Sequence, residues 1–209
     1  MRRFIMIMTA VLAVVVSAAA QSAVQRFTAA VAGKCVTFPY SFSVNATVAV
    51  KGSGEVKVQD NAFVTSYGTV EIYCDGVTRW TVDSGSREVI IEQVDGGSEV
   101  AASVDPALIV SELDKHFRIV SSSRVQDGGR ALEKVSFSPL DGTLGMAAMT
   151  VWFSLAASPA VVKASIKMKD GTVTDFSIPS MSFSQKLPLS AFRFDMKKTD
   201  SSWVVTDLR

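Results

Sequence analysis

Residue types that carry out acid–base or metal chemistry are scarce in this chain. His116 is the only histidine among 209 residues, and no CxxC motif accompanies it. A zinc or other transition-metal site needs several nitrogen or sulfur ligands, so none is expected. A Ser-His-Asp triad would have to use His116, but the sequence contains no G-x-S-x-G motif. We therefore predict no catalytic residue, no metal and no cofactor, with His116 at the surface or at a helix end.

Carboxylate pairs could serve glycoside hydrolysis, and the chain has candidates in Glu55, Glu71, Glu92 and Asp175. All four fall on polar faces of predicted strands or in turns, where solvated carboxylates are typical. The glycine-rich stretch at residues 52–54 precedes a strand rather than a helix, so it does not predict a phosphate-binding loop. The sequence favours a protein that is not an enzyme.

The chain has two cysteines, Cys35 and Cys74. In an oxidising compartment they could form a disulfide that closes a loop of about 40 residues and stabilises the fold by roughly 4 kcal/mol. Two small buried thiols fit the sequence equally well, because the sequence does not give the Cα separation. Both alternatives stay open at this point.

The N-terminus has the order of a secretory signal peptide. Arg2 and Arg3 precede an apolar run at residues 4–16, and small residues up to Ala20 offer an A-x-A cleavage site. The apolar run is too short to cross a bilayer. We predict that residues 1–20 are removed and that residues 21–209 function in the periplasm.

Charge excludes some partners of the mature chain. Removing Arg2 and Arg3 changes 21 basic and 20 acidic residues to 19 and 20, a formal net charge of −1. A nearly neutral chain lacks the basic footprint that nucleic acid needs, and it lacks the charge for docking on anionic lipid.

Alternation with period two dominates the mature sequence and predicts antiparallel strands with one buried face. Val56 and Val58 point one way, and similar runs occur at residues 70–74, 149–155 and 162–168. Asp-Gly pairs, which favour tight hairpin turns, separate these runs. They occur at residues 75–76, 95–96, 127–128, 141–142 and 170–171. The pattern predicts one mainly β (α+β) domain at residues 21–209, a meander of about ten strands.

Two segments interrupt the meander as predicted helices. Residues 22–31 carry Ser22 and Gln25 at capping-box spacing, and Gly33 follows as a stop signal. The second helix is predicted to begin at Asp105-Pro106 and to run through Ile109, Leu113 and Phe117, an apolar stripe at i, i+4 and i+8. Such a helix would cover the apolar face of a curved sheet. It would either pack permanently into an ordinary core or leave an apolar pocket beneath it.

Several short motifs, taken together, resemble the periplasmic outer-membrane lipoprotein carrier family, the LolA-type chaperones, and suggest a divergent member. Gly52-Ser53-Gly54-Glu55-Val56-Lys57-Val58 is similar to the family's Gly-x-Gly strand, and Asp75-Gly76-Val77-Thr78-Arg79-Trp80 to its Asp-Gly-x-x-φ-Trp element. The hairpin at Asp170-Gly171, the run Leu189-Ser190-Ala191-Phe192-Arg193-Phe194 and the ending at residues 204–209 resemble its closing elements.

The resemblance implies an unclosed antiparallel β-barrel, a half-pipe with an N-terminal helix and an inserted helical lid over a hydrophobic cavity. It implies a monomeric carrier that shelters acyl chains of lipoproteins, or another lipid, between an inner-membrane release complex and an outer-membrane acceptor. A periplasmic sensor or scaffold that binds a protein partner or glycan is the alternative. The residues predicted to bind lipid, with ordinary core packing as the alternative for each, are Phe27, Val56, Val58, Trp80, Ile109, Leu113 and Phe117.

Two features differ from the family pattern. The family has a basic residue just after the Gly-x-Gly strand that tethers the lid, whereas this chain has Gln59-Asp60-Asn61. The lid region between residues 94 and 117 offers one helix rather than several. Lid control is therefore expected to differ.

Overall fold

The computed structural model describes residues 22–45, 49–94, 106–111, 113, 115–140 and 145–209. The predicted signal peptide, Asp105 and the Asp-Gly pairs at residues 95–96 and 141–142 lie outside this part of the chain. Within it, no helix has the length and apolar character needed to span a membrane.

A single large sheet makes up most of the fold. Its strands are β1 (Lys34–Asn45), β2 (Val50–Gln59), β3 (Ala62–Tyr67), β4 (Val70–Cys74), β5 (Thr78–Asp83), β6 (Glu88–Gln93), β7 (Phe117–Asp127), β8 (Arg130–Pro139), β9 (Met146–Ser154), β10 (Val161–Met168), β11 (Val173–Ser177), β12 (Ser182–Gln185) and β13 (Val204–Asp207). Thirteen strands form rather than about ten. Two of the additional ones are the four-residue strands β12 and β13, which are too short to show a clear alternation.

Two antiparallel meanders meet at β1. Strands β1–β6 pair as consecutive neighbours, as do β7–β11, and the two groups join where β1 pairs with β11. The short β12 pairs with the first half of β1, and β13 adds to β6 in parallel. The described strands leave β7 and β13 as the two edges of an unclosed sheet. The predicted fold class, an open antiparallel half-pipe, is confirmed.

The first helix, α1 (Ala23–Val31), forms as the capping pattern predicts. The Ser22 hydroxyl accepts from the Gln25 backbone N–H at 3.2 Å, and the Gln25 side chain accepts from the Ser22 N–H at 3.0 Å. Gly33 follows the helix with φ +69°, a conformation that favours glycine. The helix buries Ala23, Val24 and Phe27.

The second helix, α2 (Leu108–Ser111), is much shorter than the apolar stripe predicts. Phe117 does not belong to it but begins β7, where it pairs with Pro139. Two glycines in the left-handed region, Gly128 and Gly129, close the turn that sets β8 against β7. The ladder along β7 satisfies the backbone of this segment, so the helical spacing of Phe117 is coincidental.

Three of the predicted Asp-Gly turns are observed. Gly76, Gly128 and Gly171 have φ of +91°, +54° and +91°, as tight turns between antiparallel strands require. Each lies between consecutive paired strands, namely β4–β5, β7–β8 and β10–β11.

Apolar residues cover both faces of the sheet, but different segments cover each. On the concave face, α1 and α2 pack on the main core, which includes Phe38, Val56, Val151 and Phe153. On the convex face, the C-terminal segment packs two smaller clusters. Phe194 lies with Trp80, Val82, Val89 and Ile91, and Phe192 lies with Cys35 and Ala62.

Cys35 and Cys74 are both buried. Val36, the neighbour of Cys35, is in register with Val58, then Phe63, then Cys74. Three strand spacings of about 4.8 Å, roughly 14 Å, therefore separate the two cysteines, which is too far for a disulfide. The structure favours the alternative of two buried thiols.

Candidate functional site

A partly open cavity of about 470 Å³ lies on the concave face of the sheet. Strands β1, β3, β4, β10 and β11 supply most of its wall, and Pro106 adds to it from the segment before α2. Its lining consists of Tyr40, Phe42, Val44, Thr65, Tyr67, Ile72, Pro106, Met168, Thr172, Thr174 and Phe176. None of these carries a formal charge at neutral pH, so the cavity suits an uncharged, mainly apolar group.

Three aromatic rings form the wall where the two meanders meet. Phe42 of β1 stands directly opposite Phe176 of β11. The ring centroids of Tyr40, Phe42 and Phe176 are 6.0 to 6.3 Å from one another, within the usual range for aromatic pairs. This cluster joins strands from the beginning and the end of the sequence.

Two glycines make room for this aromatic wall. Gly52 and Gly54 of β2 lie opposite Phe42 and Tyr40 of β1. A Cβ atom at Gly52 would stand 2.6 Å from the Phe42 ring, and one at Gly54 would overlap the carbonyl oxygen of Ser66. The Tyr40 hydroxyl donates to this same oxygen at 3.2 Å. The Gly-Ser-Gly motif therefore serves the cavity, because side chains there would displace the rings that line it.

Threonines give the cavity a small polar component. Thr65 and Thr174 are buried, and Thr172 lies at the turn between β10 and β11. Hydroxyl groups can hydrogen-bond an ester or amide oxygen without introducing charge. The described residues contain no group of three or more His, Cys, Asp or Glu side chains placed to hold a metal ion.

Five of the seven residues predicted to bind lipid lie together in the concave core. Phe27, Val56, Val58, Ile109 and Leu113 are each no more than 2% exposed. They pack against one another beneath the two helices rather than around the 470 Å³ cavity. Val58 also borders a smaller cavity of about 180 Å³ under α2. Their contact with a lipid stays a prediction.

The other two predicted residues lie elsewhere. Phe117 is half-buried at the start of β7 and packs against the edge of the concave core. Trp80 lies on the opposite face of the sheet, in the convex cluster with Phe194. None of the seven lines the 470 Å³ cavity.

Sequence reasoning missed the residues that line the cavity, although a signal was present. The large side chains of β1 alternate over Val36, Phe38, Tyr40, Phe42 and Val44. This run marks one continuous apolar face, and its last three members line the cavity. The motif glycines at positions 52 and 54 are a second signal, since glycines at alternate strand positions leave space for large neighbours.

The segment between α2 and β7 contacts the turn between β2 and β3, which carries Asp60 where the resemblance predicts a basic residue. The Lys115 ammonium donates to Asn61 Oδ1 at 3.1 Å. Asp60 turns instead toward the C-terminal segment and contacts Lys186 at 2.6 Å, while Gln59 accepts from the Leu187 N–H at 2.7 Å. The cation of this contact thus comes from Lys115, in the segment between α2 and β7.

Comparison by sequence gives no match, either to protein-family models or to curated proteins. Comparison by structure gives several matches. An uncharacterised conserved protein from Thermus thermophilus aligns with a TM-score of 0.54 at 13% identity, covering 88% of this chain and 96% of that one. This similarity shows that the two share a fold over nearly their whole length.

A putative lipoprotein-sorting protein domain and a LolA superfamily protein are also among the similar solved structures. A putative outer membrane lipoprotein-sorting protein domain from Vibrio parahaemolyticus has a TM-score of 0.47 at 12% identity, covering 81% of this chain and 94% of that one. A LolA superfamily protein from Nitrosomonas europaea has a TM-score of 0.47 at 10% identity, covering 82% and 96%.

Proposed function

We propose that this protein is a periplasmic carrier that shelters acyl chains of lipoproteins, or of another lipid, in the cavity on the concave face of its half-pipe. The observation that carries the proposal is the 470 Å³ cavity, which is walled by Tyr40, Phe42 and Phe176 and has no charged side chain in its lining. Its volume lies within the range of small-molecule sites.

Hydrocarbon burial supplies the binding energy in this proposal. Each methylene removed from water contributes about 0.8 kcal/mol, so ten buried methylenes contribute roughly 8 kcal/mol before the costs of association. Release requires no chemical step, because an acceptor with a better apolar pocket can draw the chain away. A carrier of this kind needs no catalytic residue.

The sequence supports the cellular setting of the proposal. Residues 1–20 have the order of a signal peptide, which directs export to the periplasm. In the LolA-type scheme the carrier, a monomer, collects its cargo from an inner-membrane release complex and delivers it to an outer-membrane acceptor. We propose the same route here, with Phe27, Val56, Val58, Ile109 and Leu113 reached by the chain only when α2 moves.

Uptake of a fluorescent fatty acid by the delipidated mature protein tests the proposal. We expect saturable one-to-one binding of dansyl-undecanoic acid with increased dansyl fluorescence. Val44→Glu introduces a charge into the cavity lining and should weaken binding at least about tenfold. The matched control is Val120→Glu, because Val120 is 64% exposed on the edge strand β7, away from the cavity. Absence of binding to the unmodified protein, or equal loss in both variants, would refute the proposal.

A further inference from the structure

Strand β7 forms one edge of the sheet in the described part of the chain, and we propose that this edge binds an extended, acidic segment of a partner protein as a further strand. The proposal concerns a surface other than the concave cavity and does not depend on lipid uptake. The other edge, β13, spans four residues, whereas β7 spans eleven. Strand β7 therefore offers the longer edge for strand addition.

Alternate residues of β7 direct their backbone groups away from the sheet. Asp127 and Arg130 flank the two-residue turn between β7 and β8, so they exchange hydrogen bonds with each other. Because bonded and non-bonded pairs alternate along an antiparallel ladder, Ser122, Arg124 and Gln126 direct their N–H and C=O groups outward. None of these six groups has a hydrogen-bond partner among the described residues. An added strand would pair with all six.

The outward edge of β7 is regular over residues 121–127. A register shift places a bulge at Val120, between Ile119 and Ser121, and the pairing with β8 is continuous from there to the turn. Seven residues of a strand span roughly 20 Å, which is the length of an ordinary strand. The side chains of residues 118–124 are all exposed, so an incoming strand meets no cover from the described residues on either face of this stretch.

Positive charge at this edge determines which segment it favours. Arg118, Arg124 and Arg130 are exposed, and none of the three forms an ion pair within the described ranges. Opposite charges on adjacent strands stabilise their pairing, and like charges destabilise it. A second copy of β7 would bring the same arginines to both sides of the junction. The edge therefore favours an acidic segment over a second copy of this chain.

The acidic side chains of the β7–β8 hairpin do not neutralise these arginines. Asp127 and Glu133 are the acidic residues of the two strands. Asp127 Oδ2 lies 2.7 Å from Lys163 Nζ of β10, and Glu133 Oε2 lies 3.8 Å from Arg26 of α1. Both carboxylates therefore neutralise cations of other elements, and the three arginines keep their charge for a partner.

Selection from a random library of twelve-residue peptides displayed on phage, with the mature protein as the target, tests the edge without assuming a sequence. We expect the selected peptides to be acidic, rich in β-branched residues and free of proline at their centre. Fluorescence anisotropy of a labelled synthetic copy gives its dissociation constant. N-methylation of every second amide should weaken binding at least tenfold in one of the two possible phases and less than twofold in the other, because an added strand pairs through alternate residues.

Matched variants of the protein locate the binding. Ser122→Pro removes one outward N–H and keeps the ladder to β8, so it should weaken peptide binding at least tenfold, whereas Ser122→Ala should change it less than twofold. Gln126→Pro is the second variant if Ser122→Pro does not fold. Arg124→Glu should weaken binding about tenfold. Its control is Lys198→Glu, the same charge change at an exposed position of the C-terminal segment, which should leave binding within twofold.

Uptake of dansyl-undecanoic acid should stay the same in all these variants, because no residue of β7 lines the 470 Å³ cavity. Peptide binding and lipid binding can therefore fail separately. Absence of any enriched peptide, selection of basic peptides, or equal affinity for Ser122→Pro and Ser122→Ala would overturn the docking edge. A dimer in sedimentation velocity that Ser122→Pro dissociates would assign the edge to a second copy of the chain and overturn the acidic partner.

Discussion

Arg193 Nε donates to Asp75 Oδ2 at 2.6 Å and so joins the C-terminal segment to the turn between β4 and β5. Asp75 also accepts from the backbone N–H groups of Val77 and Thr78, at 3.0 and 2.9 Å. Two elements that resemble separate motifs of the carrier family, the Asp-Gly turn and the closing Phe-Arg-Phe run, are therefore in direct contact. The contact fixes the segment that covers the convex face.

Acid should weaken this contact. Burial tends to raise the pKa of Asp75, but hydrogen bonds from Thr78, Val77 and Arg193 outweigh it and hold the pKa below its ordinary value. A depressed pKa contributes stability that is present above about pH 4 and is lost as the pH falls through the folded-state value. We expect Asp75→Asn to lower the free energy of unfolding by about 1–3 kcal/mol at pH 7. Urea titrations should show this difference shrinking below pH 4, and a constant difference down to pH 2 would contradict the assignment.

A methyl group at Gly52 should reduce both ligand affinity and the stability of the fold. Its Cβ would stand 2.6 Å from the ring of Phe42, so this ring, which lines the cavity, must shift. Gly52→Ala is expected to reduce dansyl-undecanoic acid affinity severalfold and to cost about 1–3 kcal/mol of stability. Ser53→Ala is the control, because Ser53 is the next residue in the chain and its side chain lies on the other face of the sheet. Fluorescence titration gives the ligand affinity of both variants, and urea titration gives their free energy of unfolding. Unchanged affinity in Gly52→Ala would show that Phe42 does not limit the cavity.

The C-terminal segment at residues 189–194 should stabilise the sheet without contributing to the binding of fatty acid. Phe192 is fully buried against Cys35 and Ala62 on the convex face. Phe192→Ala is expected to cost about 3–5 kcal/mol in urea unfolding, whereas Leu189→Ala, at a half-exposed position, should cost less than about 0.5 kcal/mol. Fatty acid affinity, measured on folded protein, should stay the same in both. Equal costs for the two variants would mean that the segment does not pack as described.

The two cysteines should behave as protected thiols. Cys35 and Cys74 are 1% and 2% exposed. Ellman's reagent should therefore react with neither in the native protein and with both in guanidinium chloride without added reductant. Dithiothreitol should leave the melting temperature unchanged. A fall in that temperature on reduction would indicate the disulfide that the strand register excludes.

Short-range sequence patterns were sufficient to predict the elements that form through contacts between residues close in sequence. Alternation predicts the concave residues Val56 and Val58, the Ser22–Gln25 box predicts α1, and Asp170-Gly171 predicts the hairpin between β10 and β11. Each of these depends on residues only a few positions apart, where side-chain direction and turn geometry decide the outcome.

Tertiary packing determines the features that short-range sequence patterns do not predict. Alternation assigns Trp80 to one face of β5 but does not say which face is concave, and the packing of Phe194 on it shows that it lies on the convex side. The cavity depends on the pairing of Phe42 with Phe176, two strands far apart in the sequence. The predicted helix does not extend to Phe117, because Phe117 pairs with Pro139 at the start of β7. This strand pairing prevails over the helical spacing of Ile109, Leu113 and Phe117.

The position of β1 at the junction of the two meanders has a consequence for how the chain folds. Its neighbour on one side, β2, follows immediately in sequence, but its neighbours on the other side are β11 and β12, near the C-terminus. Contacts between distant parts of a chain make folding slow. Until residues 173–185 arrive, β1 offers an open backbone edge that could pair with other chains. Folding should therefore be completed only after nearly the whole polypeptide is available.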